Sequence, residues 1–157
     1  MTINLKNFLN TKPKLSKMGE FQELKPIDGL EISSFSADLY KNGRDDLALF
    51  YFKDGANYAA MYTSNSIVSQ TIEWNKKSNK SFTKALLVNT KNANTFTGDQ
   101  GVEGVDLVAK NLSRILTLRE SKSDQGVSET VKMKELIFAS TGVIGEKFPA
   151  ETITSSI

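Results

Sequence analysis

Histidine and cysteine are both absent from these 157 residues, and the two absences exclude much chemistry. Without cysteine the chain forms no disulfide scaffold, no thiolate nucleophile and no thiolate metal site. Without histidine it cannot complete a Ser-His-Asp triad or an imidazole-ligated metal centre. An enzyme built on this chain needs another kind of base, or groups from another chain. An excess of one charge is also lacking. Twenty Lys plus Arg against eighteen Asp plus Glu leave +2, a balance that does not point to a phosphate-backbone binder. No nucleic-acid partner is expected. No apolar run approaches the length of a membrane span. Residues 1–17 mix lysine and asparagine with scattered Leu and Phe, without the continuous apolar core of a secretory signal. The expected location is the cytoplasm, with no membrane partner.

What remains is an ordinary globular composition, 39% hydrophobic and 24% charged. Residues 1–26, lysine-rich and carrying Pro13 and Pro26, read as an N-terminal arm with at most a short helix near Leu5–Leu9. Residues 27–157 read as one domain. Residues 27–37 look extended, Asn42-Gly43 is a turn signal, and Leu47–Phe52 is a largely apolar strand. Lys53–Asn57 reads as a second turn and Tyr58–Thr63 as a third strand, giving an antiparallel meander because short turns leave no room for a crossover. Ser69–Trp74 fits strand or helix, and Asn75–Ser81 reads as a polar turn. Lys84–Asn89 is apolar in its middle, as in a central strand. Val105, Val108, Ala109, Leu112, Ile115 and Leu116 form one apolar stripe, which predicts a helix over 103–118 packed on the sheet. Ser121–Glu129 reads as a polar linker. Leu136–Ala139 reads as a buried strand ending in Ser140-Thr141-Gly142, and Pro149 opens a last helix. A helix cut at Ile157 could not stand alone, so the domain is expected to be interrupted there.

Two stretches carry candidate chemistry. A strand end presenting the Thr141 hydroxyl beside the unobstructed Gly142 backbone suits an oxygen bearing negative charge, although Ser-Thr-Gly turns also occur as plain turns. Asn89–Gly101, with three asparagines and three threonines, reads equally as a locally satisfied loop or as a pocket wall facing a polar substrate.

Three motifs occur in order: Tyr62-Thr63-Ser64-Asn65, then Val88–Gly101 with its core Asn92-Ala93-Asn94-Thr95-Phe96-Thr97-Gly98, then Ala139–Gly145. In order and spacing they resemble the N-terminal half of the ornithine acetyltransferases of arginine biosynthesis, also called glutamate N-acetyltransferases. The resemblance runs from about residue 25 to the end. It implies an α/β (α+β) fold: antiparallel-strand-rich mixed sheets with packed helices, the sandwich-like half of a self-processing N-terminal-nucleophile-type enzyme. Members are made as a precursor that cleaves itself before a threonine, and the α and β chains stay together, usually as α2β2. The N-terminal threonine of β takes the acetyl group from N2-acetylornithine and passes it to glutamate, and some members also accept acetyl-CoA. An N-terminal amine can act as base for its own hydroxyl, so no histidine is needed. No metal or redox cofactor is implied.

Carried over residue by residue, the resemblance puts the oxyanion-stabilising pair on Thr141 and Gly142. It puts the site loop on Asn92, Asn94 and Thr97, as architecture or as substrate contacts. The sequence departs from the family pattern at Thr90-Lys91, where Ser-Gly is usual, and at Phe96, where a small residue or cysteine is usual. Ile32–Asp38 also lacks the usual small residues. The self-cleavage site has no match, so the expected reading is an incomplete α-chain domain, inactive alone, whose nucleophile lies elsewhere. Two alternatives stand beside it. One is a related N-terminal-nucleophile aminopeptidase or amidohydrolase, which would release its acyl group to water. The other is a non-catalytic truncated fragment that only binds a partner.

Overall fold

The computed structural model describes residues 25–78, 81–121 and 130–157. The N-terminal arm up to residue 24, with the expected short helix near Leu5–Leu9, lies outside the described residues, as does most of the expected linker, 122–129. Four strands form one sheet: β1 (Leu30–Phe35), β2 (Leu47–Asn57), β3 (Phe82–Asn89) and β4 (Leu136–Ser140). They lie in sequence order, with β1–β2 and β2–β3 antiparallel and β3–β4 parallel. Among the described residues three helices accompany them, α1 (Gln70–Ser78), α2 (Gly98–Glu120) and α3 (Ala150–Ser156), with one 3-10 turn at Met133–Glu135. The fold is mixed α+β. No described helix is long and apolar enough to cross a membrane.

The parallel pair follows from what joins it. Parallel neighbours need a crossover of a dozen or more residues, and α2 supplies it. Its stripe is Val105, Val108, Ala109, Leu112 and Leu116, all buried, against Leu47 and Tyr51 of β2, Ala85 and Leu87 of β3, and Leu136 and Phe138 of β4. Every one of those strand residues lies on the same face, as the registers Leu49↔Leu87 and Leu87↔Phe138 require. The helix begins five residues earlier than the stripe predicts. Gly101 explains part of this, because a Cβ there would sit 2.1 Å from Thr97 Oγ1 and 2.5 Å from Asn94 Oδ1. The glycine lets the first turns press against the preceding loop.

Over residues 30–63 the antiparallel meander has two strands rather than the three the sequence implies. The connection between β1 and β2 is not a two-residue hairpin but a loop over 36–46, held by the buried Asp46 carboxylate. Its Oδ1 accepts from the Ala37 amide at 2.6 Å and its Oδ2 from the Leu39 amide at 2.7 Å. Lys53–Asn57 is no turn. The register shifts between Tyr51 and Ala56, a bulge, after which Ala56 and Asn57 pair again with Thr83 and Phe82. Tyr58–Thr63 is not a strand: the β2–β3 register ends at Asn57↔Phe82, one more bond runs from the Tyr58 amide to the Ser81 carbonyl at 2.9 Å, and the residues from Ala59 on are exposed.

The ambiguous stretch from Ser69 is helix α1, and it runs through the expected polar turn as far as Ser78. Trp74 packs edge-on to Phe138, ring centroids 5.0 Å apart, and its indole N–H donates to Asp106 Oδ1 at 2.6 Å. Asn75 is buried. Its side-chain amide donates to the Phe138 carbonyl at 2.7 Å and accepts from the Phe138 amide at 3.0 Å. The side chain thus pairs with edge strand β4 as a further strand's peptide would, satisfying groups an edge leaves open. Pro149 occupies the cap position of α3.

The second face of the sheet is apolar as well. Ile32, Phe50, Leu86 and Ile137 form one row across all four strands, flanked by Ala48, Val88 and Ala139. None belongs to the core cluster, and α1, α2 and α3 contribute their buried residues to the other side.

A candidate oxyanion turn where two strand ends meet

Because β3 and β4 run parallel, they end at the same edge of the sheet. The segments that follow them, the asparagine-rich loop and the Thr141-Gly142 turn, therefore emerge side by side although fifty residues separate them in sequence. A short ladder continues past the strand ends. The Thr141 amide donates to the Asn89 carbonyl at 3.0 Å, the Val143 amide to Lys91 at 2.8 Å, the Ala93 amide to Val143 at 2.9 Å and the Gly145 amide to Thr95 at 2.9 Å.

This ladder decides what the turn offers. The amides of Thr141 and Val143 face the loop after β3, so the amide between them is turned away from it, as in any extended run. Among the described residues, neither the Gly142 amide nor the Thr141 hydroxyl has a hydrogen-bond partner, and both residues are exposed. Two neighbouring neutral donors on a fixed backbone are the elements of an oxyanion site. Gly142 is required on steric grounds. Its φ is +135°, and a Cβ would lie 2.2 Å from the Lys91 carbonyl carbon, 2.3 Å from its oxygen and 2.7 Å from the Asn92 nitrogen.

The sequence-predicted loop residues lie beside the turn, but their side chains face inward. Asn92 Oδ1 accepts from the Asn94 amide at 2.7 Å, while its Nδ2 donates to the carbonyls of Glu146 at 2.7 Å and Lys147 at 3.2 Å. It ties the loop to the segment after the turn. Asn94, fully buried, donates to Thr71 Oγ1 and the Gly101 carbonyl, both at 3.2 Å. The Thr97 hydroxyl donates to Asn94 Oδ1 at 2.7 Å, which is why it does not cap α2. All polar atoms of the two asparagine side chains are engaged within the protein.

The departures from the family pattern occupy special backbone. Lys91 has φ +76° and Phe96 φ +59°, left-handed conformations that glycine adopts freely and a Cβ disfavours. The Lys91 ammonium lies 3.1 Å from Glu146 Oε2, a second tie between loop and turn segment. Phe96 is 66% exposed and forms one wall of a groove of about 350 Å³ lined also by Ser66, Ile67, Val68, Gln70 and Gly98. Tyr62–Asn65, the first of the three motifs, is an exposed loop. Its Thr63 Oγ1 accepts from the Asn65 amide at 3.1 Å and its Asn65 Oδ1 from the Ile67 amide at 2.9 Å.

Sequence reasoning missed Thr71 and Ser140. Ser140 Oγ donates to Asn89 Oδ1 at 2.7 Å and lies 2.9 Å from Thr71 Oγ1. A signal for Thr71 existed: Thr71, Trp74 and Asn75 are spaced i, i+3, i+4, one face of a helix. No group of three or more acidic residues among the described ones is placed to hold a metal ion.

Comparison with known proteins gives the chain's kinship. Residues 31–157 match the model of the ArgJ family. The chain is 30% identical over 141 residues to the arginine biosynthesis bifunctional protein ArgJ of Caulobacter vibrioides, covering 87% of this chain and 32% of that protein. It is 33% identical over 132 residues to the protein of the same name from Zymomonas mobilis, covering 83% and 29%. The chain thus spans about a third of the length of the curated relatives it matches. In structure it superposes on the crystal structure of ArgJ from Bacillus halodurans with a TM-score of 0.65 at 23% identity, covering 82% of this chain and 61% of that one. For ornithine acetyltransferase of Mycobacterium tuberculosis, solved with ornithine, the TM-score is 0.69 at 20% identity, covering 82% and 63%. These two likenesses establish the fold. With the match over 31–157, they lead to one statement of kinship: the chain belongs to the ArgJ family.

Proposed function

We propose that this chain is the oxyanion-stabilising part of a cytoplasmic acetyltransferase of arginine biosynthesis that moves an acetyl group from N2-acetylornithine to glutamate. The observation that carries the reading is the pair of unpartnered donors at one strand end, the Thr141 hydroxyl and the Gly142 amide.

The nucleophile in this reading is the N-terminal threonine of a β chain, released from the same precursor by self-cleavage and retained in an α2β2 assembly. Its free amine takes the proton of its own hydroxyl as the oxygen attacks the acetyl carbonyl. Negative charge gathers on the carbonyl oxygen, and the Thr141 and Gly142 donors stabilise it there. The tetrahedral intermediate collapses, the C–N bond breaks, and the proton passes to the departing α-amine of ornithine. The acetyl-threonine ester is then attacked by the amine of glutamate through the same oxyanion, which yields N-acetylglutamate and the free hydroxyl. Acetyl-CoA is a second candidate donor. The apolar second face of the sheet supports a further layer supplied by the rest of the assembly, because an apolar face of this breadth is normally covered.

The test is the intact mass and N-terminal sequence of every chain in the protein purified from its natural source, with an assay of acetyl transfer from N-acetylornithine to glutamate. A second chain that begins with threonine, together with transfer, is the expected result. Thr141→Ala should then lower kcat about 10²-fold or more, the loss of one oxyanion donor. A single species without a partner and without transfer refutes the reading. Release of acetate to water in place of N-acetylglutamate would identify a hydrolase instead.

A further inference from the structure

Behind the exposed turn runs a chain of hydrogen bonds, partly buried, whose direction can be assigned. The Thr97 hydroxyl donates to Asn94 Oδ1 at 2.7 Å, and Asn94 Nδ2 donates to Thr71 Oγ1 at 3.2 Å. Ser140 Oγ donates to Asn89 Oδ1 at 2.7 Å, because a carbonyl oxygen only accepts. Ser140 has one proton and has given it away. The 2.9 Å contact between Thr71 Oγ1 and Ser140 Oγ is therefore donated by Thr71. Asn89 Nδ2 continues the chain to the carbonyls of Asn92 at 3.0 Å and Thr90 at 3.2 Å. Every link points the same way, from the start of α2 through α1 and the end of β4 to the end of β3, so the links polarise one another. Thr71, Asn94 and Asn89 are buried, where a missing partner is costly.

The relay ends on the residue that holds the turn. Asn89 receives Ser140 on its side chain and the Thr141 amide on its main-chain carbonyl. We propose that Thr71 and Ser140 are positioning residues for the Thr141-Gly142 turn, their hydroxyls being the two central links of a one-way relay that fixes Asn89. This rests on the reading of the turn as an oxyanion site. Neither hydroxyl touches a reacting atom; each acts through Asn89, as the supporting layer of a preorganised site does.

The experiment is amide hydrogen exchange by NMR on the ¹⁵N-labelled full protein, with any partner chain in place, and on four variants of it. Thr71→Val and Ser140→Ala remove a hydroxyl at nearly constant shape, whereas Thr71→Ser and Ser140→Thr keep one. The expected result is at least tenfold faster exchange of the Thr141 amide in the first two, with the Leu112 amide in α2 within twofold of wild type. The hydroxyl-keeping variants should restore the wild-type rate. The proposal is overturned if Thr141 exchange stays within twofold in both hydroxyl-free variants. It is equally overturned if Leu112 accelerates as much as Thr141, or if Thr71→Ser behaves like Thr71→Val.

In the assembled enzyme, Ser140→Ala should lower kcat for acetyl transfer about tenfold with KM for N-acetylornithine within twofold; a KM effect alone would also overturn it. The exchange measurement needs no turnover. If Thr141→Ala leaves transfer intact while the exchange pattern holds, the oxyanion reading has failed and the relay stands as a clamp on the turn.

Discussion

Replacing Gly142 by alanine isolates the steric demand of the turn. The new Cβ would fall 2.2 Å from the Lys91 carbonyl carbon, 2.3 Å from its oxygen and 2.7 Å from the Asn92 nitrogen. These are backbone atoms, which cannot rotate aside as the end of a flexible side chain could. The loop must separate from the turn, and that breaks the Val143-to-Lys91 and Ala93-to-Val143 hydrogen bonds. Two such bonds are worth about 1 kcal/mol each, and an L-residue forced to a φ of +135° costs about 1–3 kcal/mol. The sum is about 3–5 kcal/mol. Gly145→Ala is the matched control, since Gly145 has φ +81° but nothing within 4 Å of its would-be Cβ; it should cost only about 1–2 kcal/mol. Urea denaturation followed by circular dichroism reads the difference. With a slope of about 1–3 kcal/mol per molar, Gly142→Ala should lower the midpoint by more than 1 M, and clearly more than Gly145→Ala does. Equal midpoints for the two variants would show that the close approach of loop and turn contributes nothing, and the account of the site's rigidity would fall with it.

Lys91→Gly should stabilise the chain by up to about 1 kcal/mol, because relief of the left-handed backbone outweighs a half-exposed ion pair of about 0–1 kcal/mol; a thermal melt reads the sign, and a clear loss of stability would refute the strain argument. Glu31 is held below its ordinary value of 4.5 by hydrogen bonds from Lys53 first and Arg119 second, with their charges adding to the effect and desolvation opposing it. A depressed carboxyl contributes stability that is complete above pH 4.5 and lost as pH falls through the lower folded value. Glu31→Gln should therefore lower stability above pH 4.5, and the difference should shrink as pH falls through the lowered folded value, as read from urea midpoints across pH; parallel curves for the two proteins would contradict it.

Legibility divided along a physical line. The α2 stripe and the apolar runs of β3 and β4 were legible because burial repeats at the period of the element itself. The order of the asparagine-rich loop and the Ser-Thr-Gly turn was legible too, through resemblance. The reach of β2 was not. Lys53-Asp54-Gly55 has turn composition, and only the presence of β3 opposite makes it a bulge. Tyr58–Thr63 has strand composition, but among the described residues no strand faces it. Asn75 and Thr71 looked like polar residues of no fixed role, because their partners, Phe138 and Ser140, lie 63 and 69 residues away. A side chain that completes a distant backbone leaves no local pattern. Gly101 reads as a loop residue for the same reason, since what excludes its Cβ is a contact and not a turn.

The parallel pair explains why open donors collect at this edge of the sheet. An edge strand offers every second amide to its neighbour and leaves the others open. Once β4 lies beside β3, the Thr141 and Val143 amides are spent on the loop and the Gly142 amide is left facing outward. The asparagines then hold that loop from within, through Asn92 to the carbonyls beyond the turn and through Asn94 to α1 and α2. Such a site is built from backbone geometry and neutral hydroxyls. In the proposed role it would stabilise charge that another group creates, without histidine, cysteine or a titrating side chain. The absences noted at the start are thus compatible with the donor-only role proposed for this chain.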